Sequence, residues 1–247
     1  KEFSSWVGTK YAVALANGTL ALESALKALE IISGDEVIVT SRTFIASVSS
    51  IINVGATPIF ADIDVDSQNI TASTIREKIT KKTKAIVCVH LSGWPCEMDE
   101  IMQLAREFKL SVIEDCAQAH GAKYKGKSVG SIGHIGCWSF CQDKIMTTAG
   151  EGGMITTNNE TLWNSVWSLK DHGKNYKTVY SEEKSEGFRF LHESFGSNWR
   201  MTEIQASIGR IQLKRMSNWH TKRLDNANQI WRTARQCKGL RVPSLGK

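Results

Sequence analysis

Short apolar runs alternate along this chain with longer stretches whose apolar residues recur every three or four positions. Tyr11–Leu15 is the first run; Leu22, Ala25, Leu26 and Leu29 then share one face of a predicted helix. Asp35–Val39 reads as a buried strand, 44–54 as a helix stopped by Gly55, and Thr57–Ala61 as the next strand. Thr71 or Ser73 caps a helix through Ile75 and Ile79. A buried strand at 84–89, a helix marked by Met98, Ile101, Met102 and Ala105, and a strand at 111–114 ending on Asp115 continue the rhythm. Lys125-Gly126 predicts a hairpin turn between Lys123-Tyr124 and Lys127-Ser128. The last strands are 135–140 and 154–157. Residues 201–234 read as helix, with Ile204, Ile208 and Ile211 aligned, then Leu224, Ala227, Trp231 and Ala234. The polar, weakly periodic stretch from Lys170 to Asn198 reads as a long loop region of the kind that carries function.

Strand–helix alternation of this kind builds a mainly parallel sheet covered on both faces. Ligands of such sheets bind at the carboxyl ends of the strands, so polar residues just after each strand are the candidates for chemistry. The 247 residues suffice for one large domain and are borderline for two. No apolar run reaches the roughly 18 residues that span a bilayer, and the first residues lack the apolar stretch of a signal peptide. The expectation is a cytoplasmic protein with no membrane partner.

The net charge of +6 changes this picture little. Lys78, Lys81, Lys82 and Lys84 are the densest basic cluster, and without interleaved aromatics they read as a solvated helix end, not a nucleic-acid footprint. Six cysteines, at 88, 96, 116, 137, 141 and 237, form no C-x-x-C pair. Cys88, Cys116, Cys137 and Cys141 lie in or beside apolar strands, which favours buried, reduced thiols over disulfides and gives no metal site.

Three segments carry candidate chemistry. Asn17-Gly18-Thr19 joins the first strand to the first helix; its amides and the Thr19 hydroxyl suit a phosphate at the helix N-terminus, or simply cap the helix. Asp115 ends a strand facing the ligand crevice: a carboxylate there keeps a pyridinium nitrogen protonated, or caps a helix. Gln118 stands within reach of the same ring's phenolic oxygen. Ser139 can reach a phosphate, and Lys144 follows a buried strand and precedes Gly150, Gly152 and Gly153. A desolvated lysine attacks carbonyls. The glycines fit neither G-x-G-x-x-G nor a Walker motif, which disfavours dinucleotides and nucleoside triphosphates.

In order along the chain, these segments resemble the DegT/DnrJ/EryC1/StrS family of PLP-dependent (pyridoxal-phosphate) nucleotide-sugar aminotransferases, of the aspartate aminotransferase fold, type I. The similarity extends over 13–19, Thr43-Phe44, 62–64, 89–93, 114–121, 139–144, 150–153 and 196–201. The resemblance implies a seven-stranded PLP-binding large domain over 1–215. It further implies that 216–247 is a long helix leading into a small C-terminal domain that is mostly absent, so that the sequence reads as part of a longer protein. It implies that Gly18, Thr19 and Ser139 bind the cofactor phosphate, that Phe44 stacks on the ring, and that Asp115 and Gln118 meet the ring nitrogen and phenolic oxygen. Lys144 would hold pyridoxal phosphate as a Schiff base and act as general acid and base. Asn198 would reach the phosphate of the neighbouring subunit, giving a homodimer with shared active sites. The implied reaction moves an amino group from L-glutamate to the keto group of a nucleotide-linked (deoxy)sugar, for surface polysaccharide or glycan biosynthesis. The alternatives are a noncatalytic PLP-binding regulator of the same fold, or an enzyme acting on another carbonyl. Ile145-Met146-Thr147-Thr148 departs from the family's glycine- or asparagine-rich pattern. The retained lysine argues against the dehydratase branch, where a histidine replaces it. His90 reads as a loop-ordering residue, His120 as a hydrogen-bonded residue packed behind Asp115, and Trp138 and Trp199 as packing residues.

Overall fold

The computed structural model describes residues 1–180 and 191–242. In chain order the elements are helix α1 (Glu2–Val7), strand β1 (Tyr11–Leu15), α2 (Gly18–Ala28), β2 (Glu36–Thr40), α3 (Ala46–Asn53), β3 (Thr57–Ala61), α4 (Ala72–Arg76) and β4 (Thr83–Val89). They continue with α5 (Met98–Phe108), β5 (Ser111–Asp115), the small hairpin β6 (Lys123–Tyr124) and β7 (Lys127–Ser128), β8 (Ile135–Ser139), β9 (Gly153–Thr157), α6 (Glu160–Lys170), α7 (Tyr176–Tyr180) and α8 (Glu203–Ala234).

The seven-stranded sheet has the order β1-β9-β8-β5-β4-β2-β3. β9 pairs antiparallel with both β1 and β8, while the pairs β8–β5, β5–β4, β4–β2 and β2–β3 are parallel. Six strands therefore point one way, as the alternating pattern predicts, and β9 starts at the end where the others finish.

Both faces are covered, which is why the strands are apolar at nearly every position. Val37, Val39, Val87, Ile113, Ile135 and Cys137 pack on one side with Leu22, Leu26, Val48 and Ile51 of α2 and α3. Their alternates Ile38, Ile86, Cys88 and Val112 pack on the other side with Ile75 of α4 and Met98, Ile101 and Leu104 of α5. A third cluster joins Phe3 and Val7 of α1 to Trp138, Phe140, Met146 and Met216. Trp138 is thus a packing residue, as expected.

Several expectations shift. α3 begins at Ala46, leaving Phe44 and Ile45 exposed on the loop before it. α4 ends at Arg76, short of Ile79. The polar stretch after 170 holds the short helix α7, and its residues 181–190 lie outside the described residues. α6, capped by Asn159 through Thr161 and Leu162, went unread because its Trp, Ser, Asn and Thr content gives no strong helical signal. In α8 the aligned Ile204 and Ile211 face outward; the inward face runs through Ala206, Gly209, Leu213 and Met216. Gly209 sits on Thr148, where a larger residue would hold the helix away. α8 is continuous across 215–216, where the large domain was expected to end.

Candidate active site

The carboxyl ends of β1 and β8 are brought together by β9, whose Gly153 pairs with both Leu15 and Ser139, and β5 lies on the other side of β8. Asn17 caps α2 by accepting from the Leu20 amide at 2.9 Å. The first amides of a helix have no intrahelical acceptor, so those of Gly18 and Thr19 remain available to an anion. Gly18 lies directly against β8: a Cβ built there would come 2.6 Å from Ser139 Cβ. Only glycine allows this approach, which sets the Ser139 hydroxyl beside the start of α2. Gly18 and Ser139, 121 positions apart in sequence, thus meet only through the fold.

One strand further on, Asp115 stands at the end of β5, in register with Cys137 of β8. Neighbouring strands are about 5 Å apart, so Asp115 ends one strand away from the Gly18–Ser139 contact. Asp115 is only 5% exposed. Its Oδ1 accepts from the Ala117 amide at 3.1 Å, and its Oδ2 from the Ser47 hydroxyl at 2.7 Å. Burial raises its carboxyl above the ordinary value; the Ser47 hydroxyl, the Ala117 amide and the Lys144 charge pull it back. A buried carboxylate in this condition is stabilised by a cationic partner.

Lys144 lies in the irregular segment after β8, its side chain 19% exposed. Its Nζ is 3.3 Å from Oδ2 of the exposed Asp143, a pair that is weak because water screens it. The Lys144 charge favours the ionised form of Asp115 and disfavours the protonated form of His120. Gln118 Oε1 accepts from the Ser92 amide at 2.9 Å. That contact leaves the Gln118 Nε2 as the group able to donate to a ligand oxygen. Phe44 is 69% exposed on the loop leading into α3, so it is not a core residue. Asn198 is exposed, on a segment tied to the base of this site by the Trp199 carbonyl, which accepts from Ala16 at 2.9 Å.

Glu114, adjacent to Asp115 but facing the other way, is fully buried and fully occupied. It accepts from His90 at 3.0 Å and from the amides of Gly130 (2.8 Å), Ile132 (2.8 Å) and Gly133 (2.6 Å). Those bonds hold its carboxyl below the ordinary value against the cost of burial. The Cys96 amide donates to His90 Nδ1 at 3.1 Å, so Nε2 carries the proton and points at Glu114. His90 thus orders its loop, as its sequence context implies. His90, Glu114 and Cys116 cluster closely enough for a metal. The imidazole nitrogens are already engaged and Glu114 is saturated, so the group serves structure.

His120 differs from its expected role. It is 1% exposed between Trp138 and Phe140, and neither ring nitrogen has a hydrogen-bond partner among the described residues. Burial holds its pKa down at about 4. The unfolded chain, with an ordinary histidine, binds a proton between about pH 6.5 and 4 that the folded chain does not, so stability is lost as pH falls through this window. The loss at pH 5 relative to pH 7 is expected to be about 2 kcal/mol. Denaturant titration of His120→Phe should show that part of the acid sensitivity removed; an unchanged pH dependence would refute the assignment.

Sequence reasoning missed Ser47 entirely. Its hydroxyl, 1% exposed, bridges Asp115 to Thr43, whose Oγ1 lies 2.8 Å away. A serine inside an apolar helix carries no signal of its own, although Thr43 and Asp115 both lie in segments that drew attention.

The model of the DegT/DnrJ/EryC1/StrS aminotransferase family matches residues 1–246. A GDP-perosamine synthase from Escherichia coli O157:H7 is 45% identical over 227 residues, covering 92% of this chain and 59% of the synthase. Among solved structures, an aminotransferase from Psychrobacter cryohalolentis superposes with a TM-score of 0.96 at 63% identity, over 98% of this chain and 62% of that one. NtdA from Bacillus subtilis with bound cofactor PMP gives a TM-score of 0.86 at 33% identity, over 99% and 54%. The chain thus spans somewhat more than half the length of the proteins it matches.

Proposed function

From a chain that belongs to the DegT/DnrJ/EryC1/StrS aminotransferase family, we propose that the protein is a pyridoxal-phosphate transaminase moving an amino group from L-glutamate to the keto group of a nucleotide-linked (deoxy)sugar. The observation that carries this reading is one arrangement. A buried carboxylate ends β5, the start of α2 lies against Ser139 at the end of β8, and Lys144 follows in the segment after β8. The donor set fits the cofactor: amides and a hydroxyl for its phosphate, a carboxylate for its ring nitrogen, and an amine for its carbonyl.

Bound pyridoxal phosphate supplies a carbonyl that condenses with amines and a ring that withdraws electrons from the adjoining carbon. Gly18, Thr19 and Ser139 bind the phosphate. Asp115, ionised and out of water, holds the ring nitrogen protonated, which strengthens that withdrawal. Gln118 donates to the phenolic oxygen through Nε2, and Phe44 covers the ring face. Lys144 would hold the cofactor carbonyl through Nζ, and the same amine would serve as the base for the α proton of the amino donor. Asn198 reaches the phosphate of a second copy, in a homodimer with shared sites; its exposure supports that role. Residues 1–215 act as the cofactor-binding domain, and α8 runs on beyond them to Ala234.

The keto-sugar reading rests on the family and on the GDP-sugar relative, and a role in surface polysaccharide or glycan biosynthesis follows from it. The free thiols, four of them buried, favour a reducing, cytoplasmic setting. No helix among the described residues is long and apolar enough to cross a membrane.

The full-length protein should take up pyridoxal phosphate with a visible absorbance band. Borohydride should fix a pyridoxyl group on Lys144, as read by peptide mapping. L-Glutamate should discharge the band by converting the cofactor to pyridoxamine phosphate. Attachment at another lysine would overturn the site assignment, and uptake without discharge by any amino donor would favour a noncatalytic binder.

A further inference from the structure

Asp115 Oδ2 accepts from Ser47 Oγ at 2.7 Å, across 68 residues of sequence. Ser47 Oγ is in turn 2.8 Å from Thr43 Oγ1. Ser47 has a single hydroxyl proton. While Asp115 is ionised it can only accept, so that proton points at Asp115. Thr43 must then donate to Ser47. The chain of hydroxyls runs in one direction, from half-buried Thr43 inward to the buried carboxylate. Protonating Asp115 on Oδ2 would require both hydroxyls to turn round.

We propose that Ser47 is a positioning residue which, with Thr43, forms a one-way hydroxyl relay that keeps the Asp115 carboxylate ionised and oriented. Its use in transamination rests on the functional reading given above. The relay does two things at once. It satisfies Oδ2 while the Ala117 amide satisfies Oδ1, so the plane of the carboxylate is fixed from both sides. It also anchors the segment carrying Phe44, the residue next to Thr43, to the same carboxylate. One serine thereby couples the group beside the ring nitrogen to the group over the ring face. Donation to a charged acceptor is the strong form of the hydrogen bond, and it opposes the burial that pushes the Asp115 carboxyl up.

Two substitutions separate the relay from packing. Ser47→Ala removes the donor to Asp115 and adds no bulk. Thr43→Val removes only the outer donor, with Thr43→Ser as the rescue. The titratable groups facing Asp115 are His90 after β4, Cys116 after β5, Cys137 on β8 and Lys144, and all stay intact in these variants.

The first readout needs no cofactor: carbon-13 resonances of the Asp115 carboxyl are followed against pH in the cofactor-free full-length protein. Ser47→Ala should move the titration to higher pH, Thr43→Val should move it less in the same direction, and Thr43→Ser should restore it. The second readout is pyridoxal-phosphate affinity, expected to weaken at least about ten-fold in Ser47→Ala. An Asp115 titration that does not move in Ser47→Ala overturns the relay, whatever happens to affinity. A moved titration with wild-type affinity overturns its use in holding the cofactor. A wild-type protein that takes up no pyridoxal phosphate overturns the functional reading instead, while the titration still decides the relay.

Discussion

Lys144→Ala is expected to lower transaminase turnover by about 10⁴-fold or more, while leaving the fold and noncovalent cofactor binding in place. The amine has two tasks in the proposed chemistry, holding the cofactor carbonyl and carrying the α proton, and no neighbour can take over either. Ser139 is a poor base, Asp115 in that chemistry would be committed to the ring nitrogen, and His120 is buried against Trp138 and Phe140. Stability should hardly change, because the Lys144 ion pair is with the exposed Asp143. The cradle of Gly18, Thr19 and Ser139 does not involve the lysine, so pyridoxal phosphate should still bind. Stopped-flow measurement of the half-reaction with L-glutamate, alongside equilibrium binding of the cofactor, makes the distinction. Turnover near the wild-type value would end the assignment of Lys144.

Asp115→Asn is expected to reduce turnover by about 10²–10³-fold and to leave the cofactor-free protein as stable as before or more so. The two effects have opposite signs for a physical reason. Asp115 is nearly inaccessible, and burial penalises its charge. Asparagine keeps an oxygen for the Ser47 hydroxyl and removes that penalty. It also removes the negative charge that holds the ring nitrogen protonated, so the electron-withdrawing power of the cofactor falls. Thermal unfolding of the cofactor-free protein and turnover of the loaded one read the two effects separately. A carboxylate needed only for folding would lose stability and activity together.

The candidate residues drew attention because they fall at or soon after strand ends. Asp115 and Ser139 end apolar runs and Lys144 follows one, and a parallel sheet gathers strand ends at one edge. The rhythm of runs and amphipathic stretches also announced the sheet class, and the boundaries moved by only a few residues. The departures have local causes. Phe44 and Ile45 continue the apolar pattern of α3 but precede its first turn, so they stand exposed. Ile204 and Ile211 share a spacing that reads as a buried face, yet α8 packs through Gly209 and Met216. Periodicity identifies a face; it does not say which face meets a partner.

The amino-acid sequence by itself therefore determined the class of sheet, the positions of the strand ends and the residue types offered there, since each depends on neighbours within a few positions. Only the tertiary structure decided that β9 enters antiparallel between β1 and β8, bringing Gly153 against Leu15 and Ser139. It alone decided that Gly18 touches Ser139, that Ser47 reaches Asp115, and that the buried His120 ring has no hydrogen-bond partner among the described residues. Those contacts join residues tens to more than a hundred positions apart, and they are set by which strands pair and how closely layers pack. No local pattern encodes that choice, because the free energy that makes it is shared across the whole core.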